Sequence, residues 1–167
     1  MIPHPDNQAV AVNCAIITVS DTRTSDTDKS GQLIKQLLSD AQHQILFYTI
    51  VKDEPTEIQN LLEYCDYQFE LEAIIINGGT GIAPRDTTYD VVNSWLSKTL
   101  PGFGEIFRYL SYQEIGSRAI ASRAVAGVKN QKLVFSLPGS SNAVRLGMNQ
   151  LILPELNHLV KQVQGQK

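Results

Sequence analysis

Apolar residues along this chain fall into two kinds of run. Short, nearly unbroken stretches occur at residues 14–20 (CAIITVS), 45–51, Ala73–Asn77 (AIIIN) and Lys132–Leu137 (KLVFSL), each bounded by polar or turn-forming residues. Runs of this length without alternation predict strands, and residues 14–20 and Ala73–Asn77 read as buried ones, as in a parallel sheet. Elsewhere the apolar positions recur every three to four residues. Leu33, Ile34, Leu37, Leu38 and Ala41 share one face of a helix that opens at Ser30 or Gly31. Pro55 suits the first turn of a second helix, where its missing N–H has no partner in any case, and Leu61, Leu62 and Cys65 give that helix an apolar side. Further helices are predicted over residues 89–96, over 103–113 with Ile106, Phe107 and Leu110, and after Ser140 with Val144, Leu146 and Leu151. Pro101-Gly102 reads as a chain break, and Pro154 as another before a final helix to about Val163. Residues 117–128, rich in Ala and Ser, predict no element.

Strands alternating with helices predict an α/β fold, a three-layer α/β/α sandwich on a mostly parallel sheet. Residues 1–11 read as a polar, flexible tail, and 12–167 as one domain of ordinary size.

Charge and composition narrow the function. A net charge of −3 offers no broad basic stripe, so a nucleic-acid partner is not expected. No apolar run approaches the roughly 20 residues of a membrane span, and the first residues lack a secretory pattern, so a cytoplasmic protein without membrane association is expected. Cys14 and Cys65 lie in a predicted strand and helix and read as buried free thiols. His4, His43 and His158 are isolated and no Cys-x-x-Cys pair exists, which argues against zinc. An acidic protein that binds an anion must do so locally, with backbone N–H groups and a few arginines.

Three strands end in small or polar residues: Ser20-Asp21, Gly78-Gly79-Thr80-Gly81 and Pro138-Gly139-Ser140-Ser141. In a parallel α/β sheet, ligands settle outside these carboxyl ends. The glycine segment allows close backbone approach and an anion-binding nest, or equally a tight turn that needs positive φ. Just beyond it, Arg85 could clamp a phosphate and Asp86 hold a magnesium ion, or the two could form a surface ion pair. The Ser140 segment presents a helix start, which both caps the helix and favours an anion. No Walker A lysine, G-x-G-x-x-G fingerprint or histidine beside a nucleophile is present. Phosphate positioning and metal-assisted transfer remain.

The ordered set Gly78-Gly79-Thr80-Gly81, Pro84-Arg85-Asp86, Pro101-Gly102-Phe103-Gly104-Glu105, Ser122-Arg123-Ala124 and Pro138-Gly139-Ser140 resembles the MoaB/Mog molybdenum-cofactor biosynthesis family. Val19-Ser20-Asp21 and Ser30-Gly31 fit as well, and the similarity covers residues 12–163. The resemblance implies a molybdopterin-binding fold and transfer of AMP from ATP to the terminal phosphate of molybdopterin, with magnesium. Asp53 and Asp86 fall on the family's two important acidic positions, as catalytic residues and magnesium ligands. Ser20, Asp21, the glycine loop, Arg85, Ser122 and the run Pro138, Gly139, Ser140, Ser141 and Asn142 fall on the pterin- and nucleotide-binding positions. Glu105 fits pterin recognition by the family pattern, although a place near a helix start would also account for it. The family assembles as homotrimers, and its MoaB branch often as hexamers. A non-catalytic molybdopterin-binding or scaffold protein of the same fold is the alternative.

Overall fold

The computed structural model describes residues 10–165, so most of the expected tail lies outside the described residues. The four apolar runs form strands β1 (Asn13–Val19), β2 (Gln44–Val51), β3 (Ala73–Asn77) and β6 (Lys132–Leu137). With β4 (Lys98–Thr99) and β5 (Val125–Lys129) they make a six-stranded sheet of order β2-β1-β3-β6-β5-β4, in which the four are parallel neighbours. Both faces of β1, β3 and β6 are covered, which is why their residues are apolar without alternation. One helical layer contains α1 (Lys29–Asp40), α4 (Pro101–Ile115), α5 (Ser141–Gly147) and α6 (Leu153–Val163). Its side chains, among them Ile34, Phe107, Val144 and Leu156, meet Cys14, Ile16, Ile75 and Phe135 of the sheet. The other layer contains α2 (Pro55–Tyr67) and α3 (Thr88–Trp95), whose Ile58, Leu62 and Val92 meet Ala15, Ile17, Ile74 and Val134. The three-layer α/β/α expectation holds.

Three local expectations change. Pro101 begins α4 rather than breaking the chain, because its fixed φ and missing N–H suit a first turn. Residues 117–128 are structured: a 3-10 helix spans Gly116–Ala121, and β5 (Val125–Lys129) pairs antiparallel with β6. The hairpin turns at Asn130 and Gln131, with φ of 43° and 65°. Two-residue hairpin turns need this left-handed backbone, and Asn-Gln announces it far less clearly than Asn-Gly. A two-residue β4 (Lys98–Thr99) extends that edge. Pro154 does not break the helix either. The backbone stays helical from α5 through a π turn at Met148–Ile152 into α6, and the proline falls in the first turn after it. The wider turn changes the hydrogen-bond register, so the missing N–H of Pro154 costs the rod little.

Candidate functional site

Register fixes where the strands end together. Thr18 pairs with Asn77, and Asn77 with Leu137, so β1, β3 and β6 release their chains at one edge. The path runs from β1 outward to β2 and then returns to β3 on the other side. This reversal leaves a crevice between β1 and β3.

A cavity of about 460 Å³ occupies that crevice, within the usual range for small-ligand sites. Ser20, Gly78, Gly79, Thr80, Gly81, Asp86, Ser122, Pro138, Gly139 and Ser140 all line it. The three strand-end segments therefore surround one space. A depression of similar volume, about 430 Å³, at the β4–β5 edge gathers none of the candidate residues.

The glycine loop is built by contacts that admit no side chain. Gly78 has φ 101°, and a Cβ there would collide with the Val19 carbonyl. Gly79 has φ 63°, and a Cβ there would collide with Thr88 Oγ1 and Asp53 Oδ2. A Cβ on Gly139 would lie 3.1 Å from Gly78 Cα, so the two loops touch backbone to backbone. Among the described residues, the N–H groups of Gly79, Thr80, Gly81 and Ile82 donate to no protein acceptor. A row of unpaired amides of this kind can receive an anion.

The acidic residues divide. Asp86 lines the cavity; its Oδ2 accepts from the Ala83 N–H at 3.0 Å, while Oδ1 accepts no hydrogen bond among the described residues. Asp53 is buried behind Gly79 and does not line the cavity. Its Oδ1 accepts from the Thr87 N–H at 3.0 Å and the Thr87 hydroxyl at 2.6 Å, so it holds the loop in shape. Arg85 also lies off the cavity. Its guanidinium binds Asp21 at 2.9 Å and Glu54 at 2.5 Å on the exposed surface, and not the adjacent Asp86. These partners raise the Arg85 pKa, and Arg85, with smaller help from the Asp53 N–H, holds the Asp21 carboxyl below its ordinary value. Asp21, Glu105, Ser141 and Asn142 are outside the cavity wall. The Ser140 Oγ caps α5 by accepting from the Ala143 N–H at 3.2 Å.

Several lining residues escaped sequence reasoning. Arg23 donates to the Gly139 carbonyl at 2.9 Å and to Ser30 Oγ at 2.6 Å, tying the first loop to the third. The polarity of the loop over residues 21–29 gave no signal for this. Phe107, Ser111, Ile115 and Ala121 form a more apolar wall, in which the Ser122 Oγ is buried without a partner. Beneath the cavity, Asp28 accepts from Thr18 at 2.5 Å, Tyr48 at 2.7 Å, the Gly31 N–H at 3.0 Å and Ser30 at 3.1 Å. Burial pushes its carboxyl upward, but those four donors outweigh burial and leave its pKa below the ordinary value.

A family model described as "Probable molybdopterin binding domain" matches residues 15–158. The chain belongs to this family. The molybdenum cofactor biosynthesis protein B of Halalkalibacterium halodurans is 53% identical over 161 residues, covering 96% of this chain and 95% of that protein. The Bacillus subtilis protein of the same name is 52% identical over 165 residues, covering 98% and 97%. Among solved structures, a molybdenum cofactor biosynthesis protein B aligns with TM-score 0.92 and 50% identity over 95% of this chain and 100% of the other. The tungsten cofactor synthesizing protein MoaB of Pyrococcus furiosus aligns with TM-score 0.83 and 35% identity over 94% and 99%. The fold shared with these members of the molybdopterin-binding family includes the strand ends that frame the cavity.

Proposed function

We propose that the chain acts in molybdenum- or tungsten-cofactor biosynthesis as a molybdopterin adenylyltransferase that uses ATP and magnesium. The observation that carries this reading is the two-sided cavity, with unpaired loop amides and Asp86 on one side and Phe107, Ile115, Ser111 and Ser122 on the other. That pairing suits a molecule with a flat heterocycle at one end and a phosphate at the other. The names of the relatives agree with the coarser part of this reading, a role in molybdenum- or tungsten-cofactor biosynthesis.

In the reaction, a terminal phosphate oxygen of molybdopterin attacks the α-phosphorus of ATP. The bond to the β-phosphate oxygen breaks, and pyrophosphate leaves. The substrate itself is the nucleophile, so the protein needs none. The loop amides bind phosphate oxygens, and the fixed backbone holds the two anions in line. Ser122 lines the apolar wall, and its buried Oγ has no hydrogen-bond partner among the described residues. Asp86 would be the magnesium ligand, since its Oδ1 accepts no hydrogen bond among the described residues. Magnesium typically takes one or two carboxylates, completing its shell with water and phosphate oxygens, and would screen charge between the two phosphates. Asp53 serves by shaping the loop from behind.

The same reading includes a homo-oligomer, a trimer or a hexamer. Ile106, Tyr109 and Tyr112 are exposed apolar side chains on α4, and Ile120 is another just beyond it. Exposed apolar side chains in such a group suit an association site.

The test is incubation of purified protein with molybdopterin, ATP and magnesium. Adenylylated pterin and pyrophosphate should form in equal amounts. Asp86→Asn should lower turnover by about 100-fold or more while changing pterin affinity little. Protein that binds both substrates yet yields no product would be a binding protein and not an enzyme.

A further inference from the structure

The arginine that governs the glycine loop is not the one beside it in sequence. Arg123 reaches the loop from 42 residues away, with Nη2 2.6 Å and Nε 3.0 Å from the Gly81 carbonyl. Nε lies 3.3 Å from the Thr80 carbonyl, and Nη2 3.0 Å from that of Asp86. Only Nη1 meets a carboxylate, that of Asp90, at 3.0 Å to each oxygen. The guanidinium also covers the Tyr89 ring, 4.8 Å from its centroid. Arg123 does not line the cavity, whereas Thr80, Gly81 and Asp86 do, so the loop stands between the two.

In a planar trans peptide, the C=O and N–H point in opposite directions. The Thr80 carbonyl shares its plane with the Gly81 N–H, and the Gly81 carbonyl with the Ile82 N–H. The Asp86–Thr87 peptide shows the consequence directly: its carbonyl goes to Arg123 and its N–H to Asp53. The N–H groups opposite the other two carbonyls are among those without a protein acceptor. A cation at the carbonyl end of a peptide also strengthens the donor at its other end.

We propose that Arg123 is the positioning residue of the anion site, fixing the glycine-loop peptides by their carbonyls so that their N–H groups face the bound phosphate. The inference rests on the reading of this loop as a phosphate cradle. Its contribution differs from that of the Arg123–Asp90 ion pair, which is exposed on the Asp90 side and contributes little by itself.

The experiment measures inorganic pyrophosphate binding by calorimetry to the full chain and to Arg123→Gln, Arg123→Lys and Asp90→Asn, with thermal midpoints recorded alongside. Arg123→Gln should weaken binding about tenfold or more, the loss expected when charged hydrogen bonds to the loop are removed. Arg123→Lys keeps the charge without the planar fork and should fall between wild type and Arg123→Gln. Asp90→Asn removes the ion pair alone and should stay within about twofold of wild type. Equal losses in Asp90→Asn and Arg123→Gln, or none in Arg123→Gln, overturn the proposal. Should Arg123→Gln fail to fold, Arg123→Lys and Asp90→Asn decide the matter: a lysine variant no weaker than the asparagine variant overturns it. Wild-type protein that does not bind pyrophosphate at about millimolar concentration removes the cradle reading itself, an outcome distinct from a binding wild type with an indifferent Arg123.

Discussion

Gly79 meets two constraints at once: a left-handed φ of 63°, and a Cβ position already filled by Asp53 and Thr88 oxygens. Gly79→Ala should therefore cost more than about 2 kcal/mol in urea unfolding, and the displaced loop should lose pyrophosphate affinity. Asp28 supplies a second prediction. Its folded pKa lies below the ordinary carboxyl value, so its stabilisation is complete above the unfolded pKa of 3.8 and is lost as pH falls through the lower folded value. Asp28→Asn places an amide among five donors, Arg23 at 3.4 Å included, and should cost about 3 kcal/mol near neutrality. It should also flatten the acid limb of stability that wild type shows below about pH 4, as read by unfolding at a series of pH values. The glycines were legible in the sequence because their role lies in their own backbones. Arg23 and Arg123 were not, because their partners lie 116 and 42 residues away and only the fold brings them together. Arg85 was misleading for the opposite reason. Adjacency to Asp86 suggested a pair, but its side chain reaches Asp21 and Glu54 instead.

Among the elements, those with strong periodicity or unbroken apolar runs emerged from sequence, and those defined by backbone register did not. The strands β1, β3 and β6 announced themselves because burial on both faces leaves few polar positions, while β2 lies half-exposed at the sheet edge. The β5–β6 hairpin turned on Asn130 and Gln131 with positive φ, a conformation their side chains only weakly signal. The π turn before Pro154 had no sequence signature beyond the proline itself. Its accommodation can be measured. Proline inside a regular helix costs about 3 kcal/mol relative to alanine, but Pro154 follows a turn whose register has already changed. Pro154→Ala should raise stability by less than about 1 kcal/mol in urea unfolding, well short of that figure.

Across the whole molecule, the layer order follows from strand alternation, while the sheet order that opens the crevice between β1 and β3 is seen only in the fold. The outer surface was not legible either, since amphipathic periodicity does not tell a core-facing stripe from one that meets another chain. On α4, Phe107 faces the core, while Tyr109 and Tyr112 are 62% and 61% exposed. If these side chains form the assembly face, the double variant Tyr109→Glu and Tyr112→Glu should bring the mass measured by light scattering from a multiple of the chain down to that of a single chain. Wild type that already sediments as one chain would remove the homo-oligomer from the proposed function.

The backbone contact between Gly78 and Gly139 bears on how the crevice can adapt. With no side chain between the loops after β3 and β6, there is no rotamer to adjust and no slack to take up, so the floor is as stiff as the sheet that carries it. Shape changes that accompany a guest would then come from the rim at residues 21–27 and 83–85, where most positions are exposed to solvent. Discrimination among guests would be settled at the floor by exclusion, and the pace of entry and exit at the rim.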